Sequence, residues 1–389
     1  MATHKQKLKL GFDARAILLP HRTGVENVLY QLLLNLPAQL PQCELLLFLI
    51  QGQDLKPASH ADLNTLSALG YRIVEVPLNY PHVQKLFDVW LAWQMRSVLI
   101  QNEIDVFYSV NTKFPIGFKS SIVTIHGIEW HGYPQGYRRL ERCKQWLWFQ
   151  LATRFSHGIV TFAEHTRQDV LRIRRGCKIP IVKVPEGVAP MFRVLTDKER
   201  DVSVPAGYGV TEPYILSVCS LVPRKNLDGL LRAFATLVHQ HHIPNQLVLV
   251  GKSGWKSDQL HQIVDRLNIC DRVVFTGYVS DHDLIQFYNQ AAIFVYPSKY
   301  EGFGLPPLEA MRCGLPVITS DRSATREIGQ GAAILVNPDD IESMAQGIYQ
   351  GLSDETLRCH LIQSGFERVA EYSWEKMSRG IAALMLSVK

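Results

Sequence analysis

The stretch Tyr296–Ile318, YPSKYEGFGLPPLEAMRCGLPVI, contains the features from which the fold can be read. The residues before it, AAIFV, are apolar and of strand length, whereas YEGFG is typical of a turn. Pro306 and Pro307 fit the first turn of a helix, where a missing N–H costs little, and Gly314 fits a C-terminal stop. The stretch therefore predicts a strand, a tight turn and a short helix, Pro306–Cys313.

Two glutamates flank this turn. Glu301 falls at the strand end and Glu309 one turn into the helix, so both carboxylates can face the same ligand. The backbone N–H groups of Phe303, Gly304 and Leu305 are expected at the positive end of the helix dipole, which favours an anion. Carboxylates also accept hydrogen bonds from sugar hydroxyls. The alternative is that the glutamates are an N-cap partner and a solvated helix residue.

The alternation of apolar strands with amphipathic helices extends back to the N-terminus and predicts a parallel, doubly wound sheet. The expected strands of this half are Lys9–Phe12, Leu45–Ile50, Arg72–Val76, Val106–Ser109, Ile122–Ile125, Gly158–Thr161 and Val182–Pro185. The expected helices are Val25–Leu36, Val83–Gln101, Tyr137–Phe155 and Glu164–Arg174.

Residues 186–213 break this rhythm with three prolines, three glycines and several charges. The alternation then restarts, with expected strands at Tyr214–Val218, Leu247–Val250, Val273–Phe275, Ile293–Tyr296, Pro316–Thr319 and Ala333–Val336. The helices expected besides Pro306–Cys313 are Asn226–Gln240, Asp258–Leu267, Asp281–Asn289, Ile341–Leu352, Asp354–Arg368 and Trp374–Leu386.

This pattern predicts an α/β protein with two Rossmann-like domains facing each other across a cleft. We expect the first domain at 1–190, a linker at 191–213 and the second domain at 214–370. The C-terminal helix, 371–389, can pack back on the first domain. Ligands in such sheets bind at the carboxyl ends of the strands.

Arg224 and Lys225 follow the strand Tyr214–Val218, at the turn into the next helix. Two adjacent cations beside a helix N-terminus suit a diphosphate. A pair of ordinary surface cations is the alternative.

Two signals in the first half are weaker. Gly24, after the first strand, can bring the backbone close to a phosphate or a sugar, but many strand-to-helix turns contain glycine. His126 follows the strand Ile122–Ile125 and should project towards a ligand; a structural histidine is the alternative.

Several classes of protein lack support in the sequence. No apolar run reaches the roughly 18 residues of a membrane span, and we recognise no signal peptide. The seven scattered cysteines favour a reducing compartment, so we expect a cytoplasmic protein. The 14 histidines form no convincing metal-ligand pattern. GKSGWKS lacks the spacing of a phosphate-binding loop, and no G-x-G-x-x-G follows the first strand.

With these residues in view, the chain resembles a family 4 retaining glycosyltransferase of the GT-B fold, in its mannosyltransferase-like branch. The resemblance rests on E-x7-E (Glu301 to Glu309) and on four further segments in order: RKNLDGLLRAFA, LVLVGKSGW, VVFTGYVSDHDL and GAAILVNPDD. The combination is specific, although no single segment is. The chain departs from the family pattern at Gly127, Ala163 and Glu186.

The resemblance implies a role for each candidate residue. Arg224 and Lys225 would hold the donor diphosphate and stabilise the leaving nucleotide, Glu301 would contact the donor sugar, and Glu309 would bind the ribose. The amides of Phe303, Gly304 and Leu305 would meet the sugar and phosphate. Gly24 and Gly251 would also contact the donor, and His126 would lie near the anomeric carbon. We place His126, Arg224, Lys225 and Glu301 in the catalytic set.

The resemblance also implies a nucleotide-sugar co-substrate without a metal or other cofactor, and a glycan or lipid-linked acceptor. GDP-mannose is the favoured donor and UDP-sugars stay open. An epimerase or hydrolase of the same fold, and a catalytically silent binder, are the other classes. The epimerase would need an acid/base constellation that the sequence does not present.

Charge is unevenly distributed. Residues 1–190 carry an excess of eight positive charges, and the remainder an excess of three negative charges. The helix Tyr137–Phe155 places four cations beside aromatic residues, as in helices that lie on anionic membranes. We therefore hold two interpretations of this helix: a peripheral membrane contact on the inner face of the membrane, or aromatic side chains packed in the core. The cations and aromatics concerned are Arg138, Arg139, Arg142, Lys144, Trp146, Trp148 and Phe149.

Overall fold

The structure is a computed structural model that describes residues 7–18, 24–50, 57–76, 87–252, 254 and 258–388. The chain forms two compact units. The first comprises Met1–Ile128, Arg139–Gly187 and Ser373–Lys389. The second comprises Glu129–Arg138 and Val188–Tyr372.

Seven parallel strands form the sheet of the first unit, in the order β3-β2-β1-β4-β5-β6-β7. Strands β4, β5 and β6 are buried at every position, as expected for a parallel sheet covered on both faces. All seven predicted strands are confirmed, with ends that differ by at most two residues. They are β1 (Lys9–Asp13), β2 (Glu44–Ile50), β3 (Tyr71–Val76), β4 (Val106–Ser109), β5 (Ser121–Ile125), β6 (Gly158–Thr161) and β7 (Ile181–Lys183).

Six parallel strands form the sheet of the second unit, in the order β10-β9-β8-β11-β12-β13. These predicted strands are also confirmed. Three starts are shifted by one residue, those of β9, β12 and β13. At β12 the reason is that Pro316 has no N–H to donate, so the strand begins at the next residue. The strands are β8 (Tyr214–Val218), β9 (Gln246–Val250), β10 (Val273–Gly277), β11 (Ile293–Tyr296), β12 (Val317–Ser320) and β13 (Ile334–Val336).

Helices connect the strands in both units. Those of the described residues are α1 (Gly24–Gln39), α2 (Pro57–Ala68), α3 (Phe87–Gln101), α4 (Glu129–Gly132), α5 (Arg139–Phe155), α6 (Glu164–Ile173), α7 (Ser203–Gly207), α8 (Leu227–His241), α9 (Asp258–Arg266), α10 (Asp281–Gln290), α11 (Leu305–Arg312), α12 (Ser323–Gly329), α13 (Ile341–Ser353), α14 (Glu355–Val369) and α15 (Trp374–Ser387). The helix predicted from Val83 is seen from Phe87 onwards, and residues 83–86 lie outside the described residues.

Four of these helices were not predicted. In α2, Leu63 and Leu66 are the buried leucines, too few for a helical period to be read from the sequence. Helices α4, α7 and α12 are four, five and seven residues long, which is shorter than a reliable periodic signal.

The C-terminal helix belongs to the first unit, where α15 packs against α1. The hydroxyl of Ser120 donates a hydrogen bond to the carbonyl of Val388, just after α15, at 2.7 Å. None of the described helices is both long and apolar enough to cross a membrane.

Residues 191–213 lie in the second unit and are held on α10. The Leu195 N–H donates to Asn289 Oδ1 at 2.7 Å, and the Asp201 N–H donates to Gln286 Oε1 at 2.9 Å. This segment, predicted as a linker, is therefore anchored by side chains and contains α7.

Candidate functional site

The turn between β8 and α8 places two cations at the carboxyl end of β8. Pro223–Lys225 form one turn of 3-10 helix, and Asn226 adopts the left-handed conformation with φ 60°. The Asn226 side chain donates to the carbonyl of Pro338 at 2.6 Å, which fixes this strained position. Arg224 and Lys225 are thus held at the start of α8, as predicted.

Glu301 lies directly against both cations. Lys225 Nζ is 2.6 Å from Glu301 Oε1, and Arg224 Nη1 is 2.7 Å from Oε2. The hydroxyls of Ser298 and Tyr296 donate to Oε1 at 2.5 and 3.1 Å. The Glu301 side chain is only 9% exposed, so the cluster is a nearly buried, fully hydrogen-bonded charge network.

The charges of Glu301 and Arg224 are fixed at neutral pH. Burial would raise the pKa of Glu301, but Arg224 and Lys225 outweigh it and lower that pKa to about 2. Burial would likewise lower the pKa of Arg224, but the Glu301 carboxylate, and after it that of Glu129, raises it above its usual value. Glu301 is therefore a permanent counter-ion and carries no proton to donate. Arg224, Lys225 and Glu301 together have a formal net charge of +1, which favours an anionic ligand.

Glu309 lies in a different environment. It is half-buried on α11, and the Tyr288 hydroxyl donates to its Oε2 at 2.9 Å. Burial raises the pKa of Glu309 to about 7, although the bond from Tyr288 opposes the rise. The two glutamates of the E-x7-E pattern therefore have opposite properties: Glu301 is always ionised, and Glu309 titrates near neutral pH.

We predict that the Glu309→Gln variant will remove a pH-dependent loss of stability. The folded pKa of Glu309, about 7, lies above its reference value of 4.5, so stability falls as the pH rises through this window. Thermal unfolding of wild type and variant should give similar Tm values near pH 4. As the pH rises from 4 to about 8, the Tm of the variant should increase progressively relative to that of wild type. Above about pH 8 this difference should stay constant. The exposed Glu342→Gln variant is the control; the account fails if both substitutions give the same profile.

The N-terminus of α11 presents free amides beside the cluster. Gly304 has φ 124°, a conformation that favours glycine, and the structure records no hydrogen bond from the N–H of Gly304 or Leu305 to any described residue. Pro306 and Pro307 have no N–H to offer. The ring of Phe303 is buried against Tyr372, with centroids 5.8 Å apart. The amides of Gly304 and Leu305 are therefore available to an anion or a hydroxyl.

Gly251 is explained by packing between strand ends. It has φ 148°, and a Cβ there would lie 1.9 Å from the carbonyl oxygen of Cys219. Its N–H donates to the carbonyl of Gly277 at 2.8 Å. Glycine is thus required at this position by the fold, and donor contact by Gly251 stays a prediction.

In the first unit, His126 follows β5 and is neutral. Its Nε2 lies 2.7 Å from the carbonyl oxygen of Val110, which can only accept, so Nε2 carries the proton. Burial lowers the pKa of His126 to about 4, with a smaller opposing effect from the Val110 carbonyl. Nδ1 is 3.9 Å from Glu186 Oε1, which shows that the departure from the family pattern at Glu186 lies beside the histidine.

Gly24 is the first residue of α1 and also lies in the first unit. A Cβ at Gly24 would meet nothing within 4 Å, so sterics do not demand glycine there. The carboxylate of Glu26, on the same helix turn, slightly raises the pKa of His126, against the larger lowering by burial.

The sequence did not reveal the remaining members of the cluster. Tyr296 and Ser298 hold Glu301, Tyr288 holds Glu309, and Asn226 fixes the cationic turn. Tyr296 and Ser298 do lie at the end of a predicted strand, which was the available signal. Among the described residues, no group of three or more His, Cys, Asp and Glu side chains could hold a metal ion.

Two family models match the chain. The model of Glycosyltransferase Family 4 matches residues 22–191, and the model of Glycosyl transferases group 1 matches residues 203–368. The chain belongs to glycosyltransferase family 4. The two models together span most of the chain, so the family predicted from the sequence is confirmed.

Curated relatives of this family 4 chain include mannosyltransferases. O-antigen chain mannosyltransferase B of Escherichia coli is 39% identical over 162 residues, which is 42% of this chain and 42% of the relative. O-antigen chain mannosyltransferase RfbU of Salmonella typhimurium is 24% identical over 299 residues, 74% of this chain and 78% of the relative. The chain spans less than half the length of the first curated relatives that it matches.

Solved structures share the fold of this family 4 chain. Anabaena Alr3699/HepE in complex with UDP-glucose has a TM-score of 0.72 at 18% identity, and the match covers 99% of this chain and 100% of that one. Such neighbours confirm the GT-B fold with two Rossmann-like domains that the sequence predicted.

Proposed function

We propose that this protein is a retaining glycosyltransferase that moves a hexose from a nucleotide sugar to a glycan or lipid-linked acceptor in polysaccharide or lipopolysaccharide biosynthesis. The observation that carries the proposal is the pairing of Arg224 and Lys225 with Glu301 beside the free amides of α11. The names of the curated relatives, which are O-antigen mannosyltransferases, support the pathway and the transfer of mannose.

The cluster suits the departure of a nucleoside diphosphate. When the anomeric C–O bond breaks, positive charge develops on the sugar and negative charge on the diphosphate. Arg224, Lys225 and the amides of Gly304 and Leu305 are fixed donors that stabilise the negative charge without reorganising. Because these side chains supply the cationic charge, we propose that no metal cofactor is needed to bind the donor.

The two glutamates would then do different work. Glu301 already contacts two cations and two hydroxyls, so its main task is to hold Arg224 and Lys225 in place. Any contact with the donor sugar would use its remaining lone pairs. Glu309 would accept hydrogen bonds from the ribose hydroxyls, which favours its ionised form, so donor binding near pH 7 should release a proton.

His126 would serve as a neutral polar group near the anomeric carbon, since its pKa of about 4 leaves it uncharged. Retention of configuration, by attack of the acceptor on the face that the leaving phosphate vacates, is the expectation from family 4. In that route the leaving phosphate takes the acceptor proton.

GDP-mannose is the favoured donor, and a specific observation keeps UDP-sugars as the second candidate. Sequence relatives of this chain are named as mannosyltransferases, whereas the structural neighbour from Anabaena is in complex with UDP-glucose. A thermal-shift screen of the purified protein with GDP-, UDP- and ADP-sugars distinguishes the donors. A donor at about 100 times its Kd should stabilise the protein by about 2.7 kcal/mol. We expect GDP-mannose to raise Tm most; no shift with any nucleotide sugar would contradict the proposal.

A peripheral contact with an anionic membrane is the second part of the proposal, and helix α5 is its basis. Trp148 and Phe149 are buried, so the core interpretation holds for these two residues. Trp146 and Leu147 are half exposed, and Leu140 is 68% exposed. The cations on the same exposed half of the helix are Arg139, Arg142 and Lys144.

We expect the protein to float with vesicles containing phosphatidylglycerol at low salt and to be released at high salt. Each Lys or Arg near such a surface contributes roughly 1 kcal/mol. The Arg142→Glu, Lys144→Glu double variant should therefore bind far more weakly. The matched control reverses two exposed cations of the second unit, Lys198→Glu and Arg266→Glu. Equal flotation of the two double variants, or no flotation of wild type, would contradict the proposal that α5 contacts an anionic membrane.

A further inference from the structure

The segment 129–138 is unusual in its location. It lies in sequence between β5 and α5 of the first unit but belongs to the second unit. It consists of α4 and a 3-10 turn at Pro134–Gly136. Within the second unit, this segment contacts residues that bond or adjoin Arg224.

Gly132, the last residue of α4, lies against the ring of Tyr300. A Cβ built on Gly132 would be 2.3 Å from the Cδ2 and Cε2 atoms of Tyr300 and 3.1 Å from Cζ. Real Cβ contacts are never this short, so even alanine at Gly132 would force the ring to move. Tyr300 is 5% exposed, which leaves the ring little room elsewhere.

Tyr300 is in turn bonded to Arg224. Its carbonyl accepts a hydrogen bond from Arg224 Nη1 at 2.7 Å, the same nitrogen that pairs with Glu301. The adjacent Lys299 N–H and Ser298 hydroxyl donate to the carbonyl of Arg224 at 2.9 and 3.2 Å. Residues 298–301 therefore set both the backbone and the guanidinium of Arg224.

Tyr133 makes a second contact near the same turn. It is 8% exposed and lines a cavity of about 200 Å³ together with Val222 and Pro223, which precede the arginine, and Lys299, whose N–H donates to the carbonyl of Arg224. Glu129, at the start of α4, is close enough for its charge to raise the pKa of Arg224, an effect second to that of Glu301 among the charges acting on it. Glu129 therefore acts on Arg224 itself, and Gly132 and Tyr133 contact residues that hold Arg224 in place.

We propose that the segment 129–138 orients Arg224 for the diphosphate, with Gly132 and Tyr300 as positioning residues. Because Gly132 has no side chain, the Tyr300 ring can pack directly against it. This packing fixes Tyr300, so that its carbonyl stays within hydrogen-bond distance of Arg224 Nη1. The guanidinium then faces the anion in one orientation. This inference rests on the proposed function, in which Arg224 binds the diphosphate of the donor.

The test compares GDP and guanosine by calorimetry, because the ratio of their affinities isolates the phosphate contacts. The Gly132→Ala variant should lose about tenfold in GDP affinity, the equivalent of one charge-assisted hydrogen bond, and keep its guanosine affinity. The control is Gly207→Ala, in the same unit, where an added Cβ meets nothing within 4 Å.

A double-mutant cycle with Tyr300→Leu tests whether the effect passes through the ring, since leucine lacks Cε2 and Cζ, two of the three ring atoms that the added Cβ would meet. Tyr300→Leu alone should reduce the GDP-to-guanosine ratio, and Gly132→Ala should add little in that background. Near-ultraviolet circular dichroism checks that each variant is folded. If Gly132→Ala does not fold, Tyr300→Leu alone provides the test.

The outcomes separate the two claims. If wild type binds no nucleoside diphosphate, GDP and UDP included, the proposed function fails and the positioning role fails with it. If wild type binds GDP but both single variants keep its affinity ratio, the positioning role alone is overturned. Equal losses for GDP and guanosine would also overturn it, because they would indicate general damage to the unit.

Discussion

The double variant Arg224→Ala, Lys225→Ala is expected to lose at least about 10³-fold in the rate of sugar transfer. Removal of a single fixed donor to a developing negative charge commonly costs 10²–10³-fold, and here two charged donors are removed together. Both side chains are mostly buried, 20% and 11% exposed, so solvent cannot replace them fully. The measurement is the initial rate of nucleotide release from the donor identified by thermal shift.

Folding and catalysis must be separated in this variant, because Glu301 loses both of its cationic partners. The exposed pair Lys198→Ala, Arg266→Ala removes the same charge from the same unit without touching the cluster and should retain the wild-type rate. Circular dichroism at the assay temperature shows whether the double variant is folded. A folded double variant with the wild-type rate would refute the diphosphate assignment.

Glu301→Ala is expected to destabilise the protein by about 3–5 kcal/mol, since removing one partner leaves buried charges uncompensated. Arg224 Nη1 and Lys225 Nζ, which lie 2.7 and 2.6 Å from the Glu301 carboxylate in wild type, would lose this directly paired counter-ion. Chemical denaturation followed by circular dichroism measures the loss. Glu342→Ala, which removes an exposed carboxylate on α13, should cost less than about 1 kcal/mol.

A ligand-dependent result distinguishes this explanation from ordinary core damage. GDP carries the negative charge that the variant lacks, so saturating GDP should raise the Tm of Glu301→Ala more than that of wild type. If GDP stabilises both proteins equally, or the variant less, Glu301 is not the counter-ion of a diphosphate site.

Local sequence signals were sufficient for most of the fold and for the positions of the candidate site residues within it. Strand-length apolar runs separated by amphipathic stretches predicted both parallel sheets, because each element in such a fold is short and locally encoded. The position of Arg224 and Lys225 at a strand-to-helix turn followed from the same reasoning. So did the placement of Glu301 before α11 and Glu309 within it.

The pairing of these groups could not be read from the sequence. Arg224 and Glu301 are 77 residues apart, and Tyr288 reaches Glu309 across 21 residues, so their contacts depend on the order of strands in the sheet. The opposite pKa shifts of Glu301 and Glu309 depend on those contacts. The assignment of residues 129–138 to the second unit also depends on tertiary packing. The sequence around Gly132 does not indicate that this residue packs against Tyr300.

We propose that Arg224 and Lys225 hold the diphosphate of a nucleotide sugar, and ³¹P NMR tests this contact at the phosphorus atoms themselves. With wild type, the two phosphate resonances of GDP should shift and broaden on binding, and the β-phosphate should move most. With Arg224→Ala, Lys225→Ala they should stay at their free positions. Equal shifts with both proteins would contradict the account, as would no shift of GDP or UDP with wild type.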